Sequence, residues 1–277
     1  LTLTGDGNLA FTGVGGGVPA TSNITLNNTD TTLINGLTLG AVLTVGGPSA
    51  LTVTGNSEVT AAFTLTNNND SAVTFNNVVL SNNFTLGVGN TMNVAGTLSA
   101  SGANRTVTIV STSGATFNNI AVTAAGDDTA RGITPTTTGI GAVVTVNGVI
   151  SDGAQPGGGM ILAGAGTTVL NASSTFSGTS SILSGTIELG SSNALGTGTV
   201  NIVGGFVSNA DAQRTLVNHF SLLGTLTVNG NQQLTVNGAV TNNAGNRTIW
   251  VNNSAGLVLN GDLNLAEDAF GAAIGRS

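Results

Sequence analysis

The chain is built from short runs in which apolar and polar residues alternate and which end at a small-residue corner. Residues 226–230 and 234–238 both read Leu-Thr-Val-Asn-Gly, and alternation with period two places the apolar side chains on one face of an extended strand. Asn and Gly tolerate the left-handed backbone that a sharp corner needs. The pattern predicts half-buried strands in which Leu226, Val228, Leu234 and Val236 point inward while Thr227 and Thr235 point outward.

The same alternation recurs along the chain, together with copied units. An Asn-Arg-Thr unit occurs at 104–106 and again at 246–248, and Thr-Phe-Asn-Asn occurs around Phe75 and again around Phe117, 42 positions later. A period near forty predicts two stacked coils of about 20 residues each. We therefore predict an all-β fold, a parallel β-helix of roughly a dozen coils, formed as a single rod by residues 1–277.

Three stretches lose the alternation and gather glycine and proline. They are 14–21, 124–141 and 151–159, and they hold all but one of the four prolines. Because proline lacks the N–H that a sheet ladder needs, we expect these stretches to be loops that leave the solenoid wall. Residues 265–270 are the one plausible helical turn, which would serve as a cap or lead into further sequence.

Residues 146–202 hold the densest version of the pattern. This stretch resembles the autotransporter-associated β-strand repeat of secreted bacterial surface proteins. The resemblance implies a right-handed parallel β-solenoid of the kind found in autotransporter passenger domains, located outside the cell or on the bacterial surface. The rest of the chain shares only the general pattern. The small-residue turns of the stretch are at Gly148, Gly164, Gly178, Gly190 and Gly196.

Charged residues are rare and unbalanced. They make up 6% of the chain, against roughly 25% in an average globular protein. The formal net charge is −7 and all five basic residues are arginine, which argues against a nucleic-acid partner or an anionic membrane surface. Cysteine is absent, which excludes disulfide bonds and thiolate metal sites. Val, Ile and Thr are abundant, so a repetitive β-structure explains the low charge content better than disorder does.

Membrane and targeting segments have no clear signal in the sequence. No apolar run reaches the roughly 20 residues of a spanning helix, and no signal peptide opens the chain. We therefore expect no membrane insertion by this chain. Residue 1 already stands inside a strand pattern, which favours a processed product or a fragment of something longer.

Two acidic motifs invite a catalytic interpretation, because parallel β-helices include polygalacturonases. The runs 28–30 and 126–128 look like two motifs of that family, but many coils of sequence separate Asp30 from Asp127. Carboxylates so far apart cannot reach the roughly 5 to 9.5 Å separation of glycoside hydrolysis. We therefore predict no catalytic residue, no cofactor and no metal, and a solvated loop with a local ion pair at 127–131. A carbohydrate-active β-helix enzyme, polygalacturonase-like or lyase-like, is the alternative.

Thr-x-Thr pairs place two hydroxyls on one strand face, as in the ice-contacting face of β-solenoid antifreeze proteins. Because the pairs do not recur at one coil length, a solvated strand face is the simpler interpretation, and an ice- or glycan-binding module is a further alternative. We interpret Trp250 as a buried filler and not as an exposed platform for sugars. We also expect several Asn side chains to cap corners or to stack in ladders inside the solenoid, where they satisfy backbone groups. The pairs begin at Thr2, Thr52, Thr64, Thr106, Thr197 and Thr225.

A parallel solenoid has an unpaired strand edge at each end unless a cap covers it. No cap pattern is evident at residue 1, so we expect both ends to contact another copy of the chain or further solenoid of the same polypeptide. The predicted function is a non-catalytic extracellular structural protein: a surface stalk, an adhesin with surface glycans as a further partner, or a self-assembling filament subunit. The predicted contact residues are Leu1, Leu3, Leu263, Leu265 and Phe270.

Overall fold

A computed structural model shows an all-β chain of parallel strands stacked as a β-solenoid, with no helix in the described part. It describes residues 2–5, 9–11, 18–20, 24–28, 32–48, 50–68, 71–87, 89, 91–110, 114–209, 211–242, 245–265 and 273–276. Within these ranges there is also no helix long and apolar enough to cross a membrane.

The strands are short and are numbered here in chain order. The first eleven are β1 (Thr2–Gly5), β2 (Leu9–Phe11), β3 (Val18–Ala20), β4 (Ile24–Asn28), β5 (Thr32–Ile34), β6 (Leu37–Leu39), β7 (Val42–Gly46), β8 (Leu51–Val59), β9 (Phe63–Asn67), β10 (Val73–Leu80) and β11 (Phe84–Leu86). The next eleven are β12 (Met92–Ala100), β13 (Arg105–Ile109), β14 (Gly114–Thr123), β15 (Gly132–Thr137), β16 (Val143–Val146), β17 (Ile150–Gly153), β18 (Gly159–Gly164), β19 (Thr167–Leu170), β20 (Ser180–Ile182), β21 (Thr186–Leu189) and β22 (Val200–Ile202). The last ten are β23 (Phe206–Asn209), β24 (Arg214–Leu216), β25 (Phe220–Leu222), β26 (Leu226–Gly230), β27 (Leu234–Val236), β28 (Val240–Asn242), β29 (Thr248–Val251), β30 (Leu257–Leu259), β31 (Leu263–Leu265) and β32 (Ala273–Arg276).

Two long parallel sheets form the walls of the solenoid, and each coil adds one strand to both. Within the residues that the structure describes, sheet A has 13 strands in the order β1-β4-β7-β9-β11-β13-β15-β18-β20-β22-β25-β28-β31. Sheet B has 16 strands on a main path from β2 to β32, and β24, β27 and β30 make a third sheet. The predicted fold class and the count of roughly a dozen coils are confirmed. The handedness and the single-domain extent over 1–277 stay predictions.

The coil length agrees with the length expected from the sequence, with two exceptions. Along sheet A, Met160 pairs with Ser180 and Ser180 pairs with Val200, so these two coils are equal in length. Arg105 instead pairs with Ile133, and Ile133 pairs with Met160, so the two preceding coils are several residues longer. The long coils contain their extra residues in the turn segments 124–131 and 154–158.

Alternation fills the interior as predicted. Leu226 and Val228 are 2% and 0% exposed, whereas Thr227 between them is half-buried on the outer side. Residues of one inward rank stack in successive coils, because parallel pairing puts equivalent positions in register. The rings of Phe63 and Phe84 stack in this way, with their centroids 5.5 Å apart. Leu234 and Val236 point inward and Thr235 outward, also as predicted.

The predicted loop bounds are wrong in part. Strand β15 lies inside 124–141, the ends of β17 and β18 lie inside 151–159, and β3 lies inside 14–21. The reason is visible at Pro135, which takes an inward position of β15 and pairs in register with Val107 although it has no N–H to donate. Proline therefore does not mark a loop there. For the predicted helical turn, Leu265 ends β31, and 266–270 lie outside the described residues.

Candidate functional site

The predicted contact residues lie at the two ends of sheet A where the structure describes them. Leu3 is in β1, the first strand of sheet A, and pairs in register with Leu26. Leu263 is in β31, the last strand, pairs with Val240 and is 47% exposed. Leu265 closes the same strand. Leu1 and Phe270 are outside the described residues.

The acidic residues singled out by the sequence are not brought together. Asp127 accepts hydrogen bonds from the Gly102 N–H at 3.0 Å, from the Ser101 hydroxyl at 3.2 Å and from Arg131 Nε at 3.1 Å. The predicted local ion pair is therefore confirmed as Arg131–Asp127. Asp128 is exposed, and Asp30 lies outside the described residues.

The environment of Asp127 stabilises the charged form of its carboxyl group. Desolvation by its surroundings raises the pKa of Asp127, but hydrogen bonds from Gly102, Arg131 and Ser101 and the charge of Arg131 outweigh it, so this pKa lies below 3.8. A general acid of a glycosidase needs the opposite, a raised pKa. Among the described residues there is also no group of three or more His, Asp or Glu side chains that could hold a metal ion.

Asparagine ladders join successive coils at the corners; one is buried, as expected, and the others are exposed. In the exposed ladders an Asn Nδ2 donates to the Asn Oδ1 one coil earlier. A buried ladder joins Asn253 Nδ2 to Asn209 Oδ1 at 3.0 Å. Asn253 also donates to the Gln232 carbonyl and accepts from the Ala255 N–H, so its amide connects its own coil to the two preceding ones. The exposed ladder pairs are Asn77–Asn56, Asn171–Asn147, Asn252–Asn229 and Asn260–Asn237.

The outer face of sheet A carries a column of threonines that the sequence interpretation missed. Thr64, Thr85, Thr108 and Thr136 are in register in four neighbouring strands, and we call them the threonine column. Their unequal spacing along the chain hides the alignment in the sequence, because turns of different length absorb the difference. A regular rank of hydroxyl and methyl groups can contact a flat, regular surface.

The same face continues as a column of exposed aliphatic residues. Leu183, Val203 and Leu223, the aliphatic column, are 40%, 45% and 45% exposed. Each follows an inward residue of a strand in sheet A, and those inward residues pair in register, so the three side chains stack. The even spacing of these three residues along the chain was the sequence signal that could have predicted the column. Beside this column an open groove of about 360 Å³ is lined by Arg131, Thr134, Gly157, Ile161 and Ser181, among others.

Trp250 is exposed and the prediction of a buried Trp250 is wrong. Its exposed fraction is 45%, and it pairs with Thr227 on the outer side of sheet B. The inward position of β29 belongs to Ile249, which pairs with Leu226 and is 7% exposed. Once Ile249 points inward, strand alternation requires Trp250 to point outward.

Comparison of the chain with protein-family models, with curated proteins and with solved structures finds no match. The geometry itself establishes a repeat protein of the parallel β-solenoid type.

Proposed function

We propose that this chain is a non-catalytic structural rod of an extracellular or bacterial-surface protein, similar to an autotransporter passenger and acting as a stalk, an adhesin or a filament subunit. The observation that carries the proposal is continuous parallel pairing from β1 to β31 in sheet A. At roughly 4.8 Å per strand, 13 stacked strands extend for about 60 Å. Such a stack can act as a long spacer. Its stability comes from repeated pairing between neighbouring coils.

The segment that carries the autotransporter resemblance overlaps the regular part of the rod, which runs along sheet A from Met160 to Val240. Residues 146–202 include β18, β20 and β22, which are separated by coils of equal length. Regular coils with small-residue turns are what the resemblance implies. This regularity supports the proposed relationship to passenger domains and the extracellular location that goes with it.

A carbohydrate-active enzyme is the rival from a different class, and the surroundings of Asp127 argue against it. Both carboxylate oxygens of Asp127 already accept hydrogen bonds from the protein, from Ser101, Gly102 and Arg131. We therefore expect Asp127→Ala and Asp128→Ala to leave any activity of the chain unchanged. Loss of glycan cleavage in either variant would favour the enzyme.

End-to-end contact is the mode of assembly that the open strand edges favour. In the described part of sheet A, β1 has β4 as its one partner and β31 has β28. Unpaired N–H and C=O groups cost about 1 to 3 kcal/mol each when they are shielded from water without partners. Another copy of the chain, or further solenoid of the same polypeptide, would satisfy them.

Lysine at the strand ends tests this assembly, because edge lysines oppose strand addition. We expect Leu3→Lys combined with Leu263→Lys to abolish long particles in sedimentation experiments. Ser208→Lys is the matched control, since Ser208 is half-buried on the outer side of sheet B and away from both ends. A monodisperse monomer of the unchanged chain at high concentration would remove filament assembly from the proposal.

The threonine column favours a second candidate, an ice- or glycan-binding module. Its side chains are uncharged, half-buried and in register, as a face for a flat repeating surface requires. The test is adsorption of labelled protein to ice and to insoluble polysaccharide. Thr85→Lys should abolish adsorption, whereas Thr116→Lys on sheet B should preserve it. Absence of adsorption by the unchanged chain would eliminate this candidate.

A further inference from the structure

The aliphatic column is unusual because it places three large apolar side chains next to one another on the surface of the solenoid. Leu183, Val203 and Leu223 directly follow β20, β22 and β25, three consecutive strands of sheet A, and each is about 40 to 45% exposed. The next position of the same column, toward β15, is Ala163, which pairs in register with Thr136. A contiguous apolar stripe of this kind is typical of an interaction surface.

In the part of the chain that the structure describes, the outward side chains within the strands of sheet A are also uncharged over this region, while Arg131, in the turn before β15, lines the groove beside the aliphatic column. Among the described residues, the outward side chains of the strands from β9 to β28 are Thr, Ser, Asn, Ala and Ile, and the aliphatic column directly follows three of these strands. His219 precedes β25 and Asp262 precedes β31, at the far side of these strands from the aliphatic column. The acidic side chains Asp127, Asp152 and Glu188 lie on turns or on sheet B. A chain with a net charge of −7 repels a second copy least where both copies are uncharged.

We propose that two copies of this chain pair side by side through the outer face of sheet A, with antiparallel rods related by a two-fold axis along β20. Such an isologous contact uses the same patch on both copies. Leu183 meets its own counterpart near the axis. Val203, one strand beyond β20, meets Ala163, one strand before it. Leu223, two strands beyond, meets Thr136, so the larger side chains of one copy face smaller ones on the other.

The available area is adequate for a specific interface. With β20 at the centre, nine strands of each copy overlap, from β11 to β31. At roughly 4.8 Å per strand and a mean strand length of about four residues at about 3.3 Å each, the overlap is on the order of 600 Å² per copy. This is less than the roughly 800 Å² per partner of a standard interface, but the total over both copies exceeds the roughly 1,000 Å² that a specific interface needs. The inference goes beyond the proposed end-to-end assembly and does not depend on it, because lateral pairing leaves the rod ends unchanged.

The absence of cysteine in the chain permits a direct cross-linking test. Leu183→Cys places one thiol per copy beside the two-fold axis, and oxidation is expected to give a covalent dimer in high yield. Ser208→Cys, on the outer side of sheet B, is the matched control and should give at least tenfold less dimer. Equal cross-linking of the two variants would overturn the proposal.

A second test uses charge and needs no cross-link. Val203→Glu with Leu223→Glu should weaken dimerisation at least tenfold in sedimentation equilibrium, while Ser208→Glu should leave it unchanged. Circular dichroism verifies that each variant keeps its strand content. An unchanged chain that sediments as a monomer at all concentrations would contradict the proposal, as would a dimer that the glutamates do not weaken. Leu3→Lys should preserve this dimer, so lateral and end-to-end contacts are distinguished.

Discussion

The guanidinium of Arg105 reaches back to the preceding coil, where its Nε donates to the Leu80 carbonyl oxygen at 3.1 Å. The same group donates to the Ser101 carbonyl at 2.9 Å. Arg214 repeats the contact, with its Nε 3.1 Å from the carbonyl oxygen of Leu189, and the separation along the chain is the same in both pairs. These arginines thus satisfy carbonyl groups at coil corners, which is a structural role in a chain with few charges.

The first prediction is that Arg105→Ala destabilises the rod by about 1 to 3 kcal/mol, because the partly buried Ser101 carbonyl loses its donor and the Leu80 carbonyl keeps only the Ser101 N–H. The measurement is the free energy of unfolding in urea. Arg247→Ala is the matched control, since Arg247 Nε has no hydrogen-bond partner among the described residues. The corner role is contradicted if both variants lose the same stability.

The second prediction concerns the buried asparagine ladder. Asn253→Ala should cost about 1 to 3 kcal/mol, because the Asn209 Oδ1 and the Gln232 carbonyl lose their donor in a buried place. Asn171→Ala, in an exposed ladder with Asn147, should cost roughly 0.5 kcal/mol or less, since water replaces the lost partner. Urea midpoints of the two variants provide the comparison. Equal losses would show that burial does not determine the strength of the ladders.

The third prediction is that the stability of the fold depends on pH through the ionisation of Asp127. Because the folded state lowers the pKa of Asp127 below 3.8, its contribution to stability is complete above that value and is lost as the pH falls through the lower folded pKa. Asp127→Asn should therefore destabilise the protein at neutral pH. In strong acid, where the carboxyl group of the unchanged chain is protonated, the same substitution should change the stability little. Urea unfolding under the two conditions measures this. A variant that is equally destabilised in both would show that the carboxylate charge has no part in the effect.

Much of the fold is predictable because inward positions recur in the sequence. The copied unit around Phe75 and Phe117 predicts positions two coils apart, and both residues pair in register with Val94 in the coil between them. The abundance of glycine is only partly explained by left-handed corners. A Cβ on Gly224 would lie 1.8 Å from the Val203 carbonyl oxygen, so close approach of neighbouring coils requires glycine there.

The candidate surfaces were less predictable because they depend on alignment between coils of unequal length. Thr85 and Thr108 are neighbours in space, as are Thr108 and Thr136, but the second step along the chain is longer than the first. No single period reveals their column. The prediction that Trp250 is buried was wrong for a local reason, since alternation alone does not decide whether Trp250 or Ile249 points inward.

The most direct test of the structural-rod account is the length distribution of purified particles in negative-stain electron microscopy. One chain should give a rod of about 60 Å, from 13 strands at roughly 4.8 Å each. The account predicts particles at multiples of that length for the unchanged chain and single lengths for Leu3→Lys with Leu263→Lys. Side-by-side pairs would be wider than single rods, but they would not form a series of particles at multiples of the rod length. Single rods that never join at their ends would remove filament assembly and leave a stalk or an adhesin, whereas compact particles would contradict the structural-rod account.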